Sequence, residues 1–148
     1  MDKPTSSIDT ISRTCIAVRL RLLNRVVTNF YDDALRPLGL KVSQLNILIV
    51  TARLGLARPA QVCDLLRLDA STLSRNVKPL QAHGWLVVVP DEDARAQPFR
   101  LTSQGKRLIE KAVPAWEEAQ RQATELLGDE GTALLDRAAR KLRPTEHG

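Results

Sequence analysis

Apolar positions between Ile8 and Leu35 recur at helical spacing. Ile8, Ile11, Cys15, Leu22, Val26 and Phe30 follow one another at intervals of three, four or seven, and no Pro or Gly interrupts the run. The pattern predicts one long helix. A second set, Ile16, Leu20, Leu23, Val27 and Tyr31, lies beside the first, so this helix is apolar over more than one face and calls for more than one partner surface. The segment Arg36-Pro37-Leu38-Gly39-Leu40 ends it, because Pro disfavours helix in the residue before it and Gly supplies a stop.

Downstream, Ser43 reads as the N-cap of a helix through Leu45, Leu48, Ile49 and Ala52 to about Arg53, closed by Gly55. A short third helix opens with Pro59 in its first turn and turns Val62, Leu65 and Leu66 inward. Arg67-Leu68 forms a connection, and Asp69 caps a fourth helix from Ala70 to His83 in which Leu73, Val77 and Leu80 share a face. Pro79 lies inside that helix and predicts a bend or a loosened last turn before Gly84. Trp85 to Val89 and Phe99-Arg100-Leu101 are strands around a charged loop, Pro90 to Pro98, and together predict a β-hairpin. Thr102 then caps a long helix through Gly128 that contains Pro114, and Gly131 to Leu142 forms a last helix before the polar tail from Arg143 to Gly148.

The 148 residues carry 43% hydrophobic and 26% charged side chains, an ordinary composition for a folded domain. No apolar run approaches the roughly 18 residues that a membrane span needs, and Met1 to Ser7 lacks the pattern of a secretory signal. The expectation is a cytoplasmic protein without a membrane partner. The net charge is +5, distributed as +4 over 1–66, +3 over 67–111 and −2 over 112–148, so a polyanion would meet the first three-quarters of the chain. Cys15 and Cys63 cannot build a disulfide framework or a Cys-x-x-Cys pair, and His83 and His147 are too few for a zinc site. No phosphate loop, nucleophile elbow or zincin sequence is present, and Asp91, Glu92 and Asp93 sit in a charged loop where solvated carboxylates are ordinary. The reading is therefore not an enzyme, with no metal and no cofactor.

Two short helices joined by a tight turn and followed at once by a hairpin form the order of a winged helix-turn-helix. The fold class is thus mainly α with a small β-hairpin wing, plus a helical region for dimerisation. Opposite Leu73, Val77 and Leu80, the fourth helix presents Ser71, Thr72, Ser74, Arg75 and Lys78. Hydroxyls can reach bases or phosphates, Arg can bind guanine with two parallel hydrogen bonds, and Lys neutralises phosphate. A solvated polar face on any surface helix would look the same by composition.

The wing separates the two readings. Asp93-Ala94-Arg95 followed by Gln97, Phe99-Arg100-Leu101 and Leu101-Thr102-Ser103-Gln104-Gly105 resembles the wing of the multiple-antibiotic-resistance regulator (MarR) family, an Asp-x-Arg ahead of a strand and Leu-Thr-x-x-Gly. The resemblance extends to Tyr31-Asp32-Asp33-Ala34-Leu35-Arg36-Pro37 and to Leu73-Ser74-Arg75. It implies one MarR-like domain over 1–148, with dimerisation helices at 8–36 and 112–148 and a winged helix-turn-helix lobe at 43–105. It further implies that Asp93 holds Arg95 for the minor groove, where narrow geometry concentrates negative potential. Gln97 and Arg100 join Ser71, Thr72, Ser74, Arg75 and Lys78 as expected DNA contacts.

The function implied by the resemblance is a sequence-specific regulator, a repressor, that binds double-stranded DNA as a homodimer at an inverted repeat and is released by a small-molecule effector or an oxidative signal. Two recognition helices about 34 Å apart would read successive major grooves. The alternative is a winged-helix module that binds a protein instead. Cys15 lies where some relatives place a peroxide-sensing cysteine, but it also fits the apolar stripe as a core residue. Tyr31 is a candidate partner for its thiolate. Arg19, Arg21 and Arg25 could hold an anionic effector or simply face solvent, and Trp85 and Trp116 are expected to pack rather than to stack on a ligand.

Overall fold

A computed structural model gives the fold and describes residues 6–93 and 96–143. The predicted first helix is divided in two. Helix α1 (Ser7–Thr14) ends at Cys15, whose ψ of 111° is extended, and α2 (Ile16–Leu35) starts immediately after it. Ser12, Thr14 and Cys15 are weak helix formers, and the Thr14 hydroxyl donates to the Thr10 carbonyl at 2.6 Å, so local propensity does not carry the helix through. A 3-10 turn (Arg36–Leu38) and Gly39 at φ 68° then reverse the chain.

Helix α3 (Val42–Leu54) begins one residue before the expected cap, with Ser43 inside its first turn. The Asp32 carboxylate on α2 accepts the Val42 N–H at 2.8 Å, and Gln44 Oε1 accepts the Lys41 N–H at 3.0 Å. One donor of this helix end is thus met from ten residues upstream and another by Gln44 within the first turn, so the Ser43 side chain is not needed as the cap. Helices α4 (Pro59–Leu66) and α5 (Ala70–Ala82) follow as read from sequence, joined through Arg67 at φ 54°. Helix α5 runs three residues beyond Pro79, and the His83 N–H bonds to the Pro79 carbonyl at 3.0 Å.

Strands β1 (Leu86–Val88) and β2 (Phe99–Leu101) pair antiparallel, with Leu86 opposite Leu101 and Val88 opposite Phe99. On its other side β2 meets a single bridging residue: Ala57 N–H donates to the Phe99 carbonyl at 2.8 Å, and Phe99 N–H donates to the Ala57 carbonyl at 2.9 Å. Local pattern gave no sign of this third lane of backbone. Helix α6 (Ser103–Arg140) completes the fold and leaves helical geometry at Gly128, φ 72°, where the sequence predicts a break. Its end at Arg140 falls two residues short of the expected Leu142.

The core fills the helix-turn-helix lobe, where Ile47, Leu48, Val62, Leu80, Leu86 and Phe99 are buried together with Leu35 from the end of α2. Helices α2 and α6 pack on each other beyond it, with Ala119 and Ala123 buried on α6 and the Tyr31 hydroxyl donating to Gln120 Oε1. Leu35 is the one buried residue among the 20 of α2. Ile16, Leu22 and Leu134 stay 70%, 60% and 59% exposed, so one chain leaves this apolar surface uncovered.

The Leu-Thr-x-x-Gly segment explains how α6 joins the lobe. The Thr102 hydroxyl donates to the Gly84 carbonyl at 2.6 Å and accepts the Gly105 N–H at 3.0 Å, serving as cap and strap together. A Cβ on Gly105 would lie inside van der Waals contact of the Trp85 carbonyl oxygen and 2.7 Å from Leu101 Cδ1. Since backbone occupies that space, the glycine is required by close approach. Thr102→Ala is expected to lower stability by about 1–2 kcal/mol. For Gly105→Ala a loss of about 2–3 kcal/mol is expected, because backbone must move to admit the methyl group. Urea denaturation checks both, and an unchanged midpoint for Gly105→Ala would contradict the close approach.

Candidate nucleic-acid interface

Helix α5 is anchored by Leu73 and Leu80, 3% and 0% exposed, and its opposite side is presented to solvent. Ser71, Ser74, Arg75 and Lys78 are exposed there and Thr72 is half-buried, so the five residues expected to meet DNA share one helix as predicted. Several are positioned by short-range bonds. Asp69 Oδ1 accepts the Thr72 N–H at 2.7 Å and the Ser71 hydroxyl at 2.8 Å, while Arg75 Nη2 donates to Thr72 Oγ1 at 3.3 Å. Asn76 Nδ2 bonds to the Thr72 carbonyl at 2.9 Å, and Asn76 Oδ1 lies within 3.5 Å of the Ser43 hydroxyl, linking α5 to the first turn of α3.

The wing is the chain between β1 and β2. Its base is closed by the Val89 N–H on the Pro98 carbonyl at 2.7 Å, and within it the Ala96 N–H reaches the Asp93 carbonyl at 3.0 Å. Gln97, at φ 29°, is exposed where the wing turns back into β2. Asp93 is exposed and its N–H donates to Asp91 Oδ1 at 3.0 Å. Arg95, and with it the expected Asp93–Arg95 pair, lies outside the described residues.

Two site residues fall elsewhere. Arg100 is exposed on β2 and lines a groove of about 570 Å³ with Arg53, Lys106 and Glu110 over Ile49 and Ile109; none of its lining residues is on α5 or in the wing loop. Cys15 sits at the break between α1 and α2, where Ile8 and Ile11 are 79% and 65% exposed. A core role for its stripe is therefore not met within one chain. The Tyr31 hydroxyl, the suggested partner of its thiolate, is engaged by Gln120 instead. Cys63 is half-buried, and burial, with Asp64 and Asp69 nearby, pushes its thiol up, which favours the unreactive form. Trp85 packs as expected, stacked on His83 with ring centroids 4.3 Å apart, whereas Trp116 remains 41% exposed.

One cation was not anticipated. Arg58, the N-cap residue of α4, bonds to Asp91 Oδ2 at 3.2 Å across 33 residues of sequence. Its position before a helix-starting proline was visible, but its partner was not.

Among known proteins, the model of the MarR family matches residues 38–96, from the turn before α3 into the wing. Over these residues the chain is similar to the MarR family. The chain is 28% identical to the HTH-type transcriptional regulator PecS of Dickeya dadantii over 95% of this chain and 84% of that protein. It is 26% identical to the uncharacterized HTH-type transcriptional regulator YwoH of Bacillus subtilis over 59% of this chain and 64% of that protein. In three dimensions it resembles a mutant MarR from E. coli solved in complex with operator DNA, with a TM-score of 0.75 at 20% identity over 97% of this chain and all of that one. That likeness establishes the fold: a MarR-type winged helix on a mostly helical frame. No helix among the described residues is long and apolar enough to cross a membrane.

The cap of α5 has a measurable pH signature. Hydrogen bonds from the Thr72 backbone and then the Ser71 hydroxyl hold the Asp69 carboxyl down at about 2. A depressed folded value means that the cap contributes fully above the ordinary carboxylate range and loses its contribution as pH falls toward about 2. The gap in melting temperature between wild type and Asp69→Ala is expected to narrow as pH drops from about 5 to about 2. A constant gap across that range would show that the ionised carboxylate is not what caps the helix.

Proposed function

We propose that this protein is a transcriptional regulator that binds an inverted-repeat operator in double-stranded DNA as a homodimer. The observation that carries the reading is the polar side of α5. Ser71, Ser74, Arg75 and Lys78 stand exposed on a helix whose other side is locked into the core, within a segment that matches the MarR family. In this reading Arg75 contacts a base edge, Lys78 neutralises phosphate, and the hydroxyls of Ser71, Thr72 and Ser74 fix register. Gln97 and Arg95 follow the wing into the adjacent minor groove, with Asp93 orienting the guanidinium. Arg100 belongs to the supporting basic surface. The names of PecS and YwoH, both transcriptional regulators, point the same way, and the resemblance to the family favours repression.

Dimerisation is supported by the uncovered apolar surface of α2 and the end of α6. Ile16, Leu22, Leu134 and Leu142 are each more than half exposed, on the segments where a second copy would supply the missing partner. The domain reading follows from this: 43–105 as the lobe, with 8–36 and 112–148 as the dimerisation region.

A gel shift on the intergenic DNA beside the gene tests the first claim. Wild type is expected to retard it at low salt, Arg75→Ala to weaken binding about tenfold, and Lys78→Ala to reduce the dependence on salt by about one phosphate contact. Retardation indifferent to both substitutions, or insensitive to salt, would favour a protein-binding module instead. For the dimer, sedimentation velocity of Leu22→Glu is expected to show a monomer with helical circular dichroism retained. A wild-type monomer, or a dimer unaffected by Leu22→Glu, would remove that claim.

A further inference from the structure

The three acidic residues of the wing, Asp91, Glu92 and Asp93, are an awkward choice beside DNA, since each carboxylate repels phosphate. Asp91 is different from an ordinary loop carboxylate. It is 22% exposed and both of its oxygens are occupied: Oδ1 accepts the Asp93 N–H at 3.0 Å and Oδ2 accepts from Arg58 Nη1 at 3.2 Å. Both contacts hold its carboxyl below the usual carboxylate range. On the far side of the bond, Arg58 is not a free surface cation. It caps α4, and the residue before it, Ala57, is fully buried and exchanges two backbone hydrogen bonds with Phe99 at the start of β2.

The two-residue segment Ala57-Arg58 therefore grips the wing at both its roots. Ala57 holds the returning strand by backbone bonds, and Arg58 holds the outgoing side of the wing loop through Asp91, just past the end of β1. The same segment leads directly into the first helix of the helix-turn-helix. We propose that Asp91 is a positioning residue for DNA recognition: by bridging Arg58 and the Asp93 backbone, it fixes the wing at one angle to the helix-turn-helix so that both can engage a duplex together. This rests on the DNA-binding reading above. It goes beyond it by assigning a role to a carboxylate that touches no nucleic acid in that reading.

Simple electrostatics and the positioning role predict opposite signs for one substitution. Asp91→Ala removes a negative charge from a DNA-facing loop and frees Arg58, so charge alone predicts tighter binding. Positioning predicts weaker binding, by about three- to fivefold, the scale of a partly exposed ion pair. In the Asp91→Ala background, adding Arg58→Gln is expected to change little, because coupled partners are not additive. The experiment is a binding titration on the wild-type operator fragment with wild type, both single variants and the double variant, together with amide exchange at Asp93 in the free protein. Melting temperatures close to wild type establish that each variant folds. The expected result is weaker binding by Asp91→Ala and faster exchange at Asp93. Binding by Asp91→Ala as tight as wild type or tighter, while wild type binds normally, overturns the positioning role alone. Absence of wild-type binding overturns the DNA reading and this inference with it, and unchanged exchange at Asp93 shows independently that the bridge does not restrain the wing.

Discussion

Three residues of backbone, Phe99–Leu101, organise the lobe. Strand β2 pairs with β1 on one side and with Ala57 on the other, buries Phe99 at 2% exposure, and ends at Thr102, which caps α6. Each of these bonds ties β2 to a different functional part: the wing, the entry to the helix-turn-helix, and the long helix. A two-stranded hairpin alone is marginal in water. Here it is stable because its inner side closes the same core that Leu73 and Leu80 of α5 enter. Displacing β2 would move the wing and α5 together, so the strand sets their relation.

Electrostatics at this interface works by local neutralisation rather than by a uniformly basic surface. The excess of positive charge is modest at +5, and acidic groups stand at the cap of α5 and in the wing. Asp69 is spent on the Thr72 and Ser71 donors and Asp91 on Arg58 and the Asp93 N–H. A carboxylate already accepting hydrogen bonds stiffens the elements that carry Arg75 and Lys78. The positive end of the α5 dipole is compensated by the same Asp69 carboxylate.

Order and type of the elements were legible because local signals were strong. Gly39, Gly55, Gly84 and Gly128 mark chain reversals or breaks and all adopt positive φ, and Pro59 and Asp69 begin helices as such residues should. The polar side of α5 was legible for the same reason, since its anchors recur at helical spacing. What escaped is tertiary or weakly encoded. Asp32 caps α3 from ten residues away, Ala57 contributes one residue of strand with no alternation to betray it, and Arg58 finds Asp91 across 33 residues. The break at Cys15 escaped because apolar spacing continues through it while helix propensity fails, and periodicity reports only the former. Cys15 itself is half-buried, while Ile8 and Ile11 beside it find no cover within one chain.

Helix α6 shows why its own break matters. As a straight rod its 38 residues would extend about 57 Å, whereas the 13 residues of α5 span about 20 Å. Yet both ends of α6 touch the flanks of α5. At the start, Thr102 bonds to the Gly84 carbonyl just beyond the C-terminal end of α5; past the far end, the Leu142 carbonyl accepts Arg67 Nη2 at 3.0 Å, in the turn just before α5. Only a reversal can satisfy both contacts, and Gly128, at φ 72°, supplies a conformation that side-chain-bearing residues rarely adopt. Helix α5 is thus bracketed by the two ends of one folded-back helix, whose arm beyond Gly128 carries the exposed Leu134. The two arms of α6 on either side of Gly128 and the frame that holds α5 are therefore parts of one connected unit.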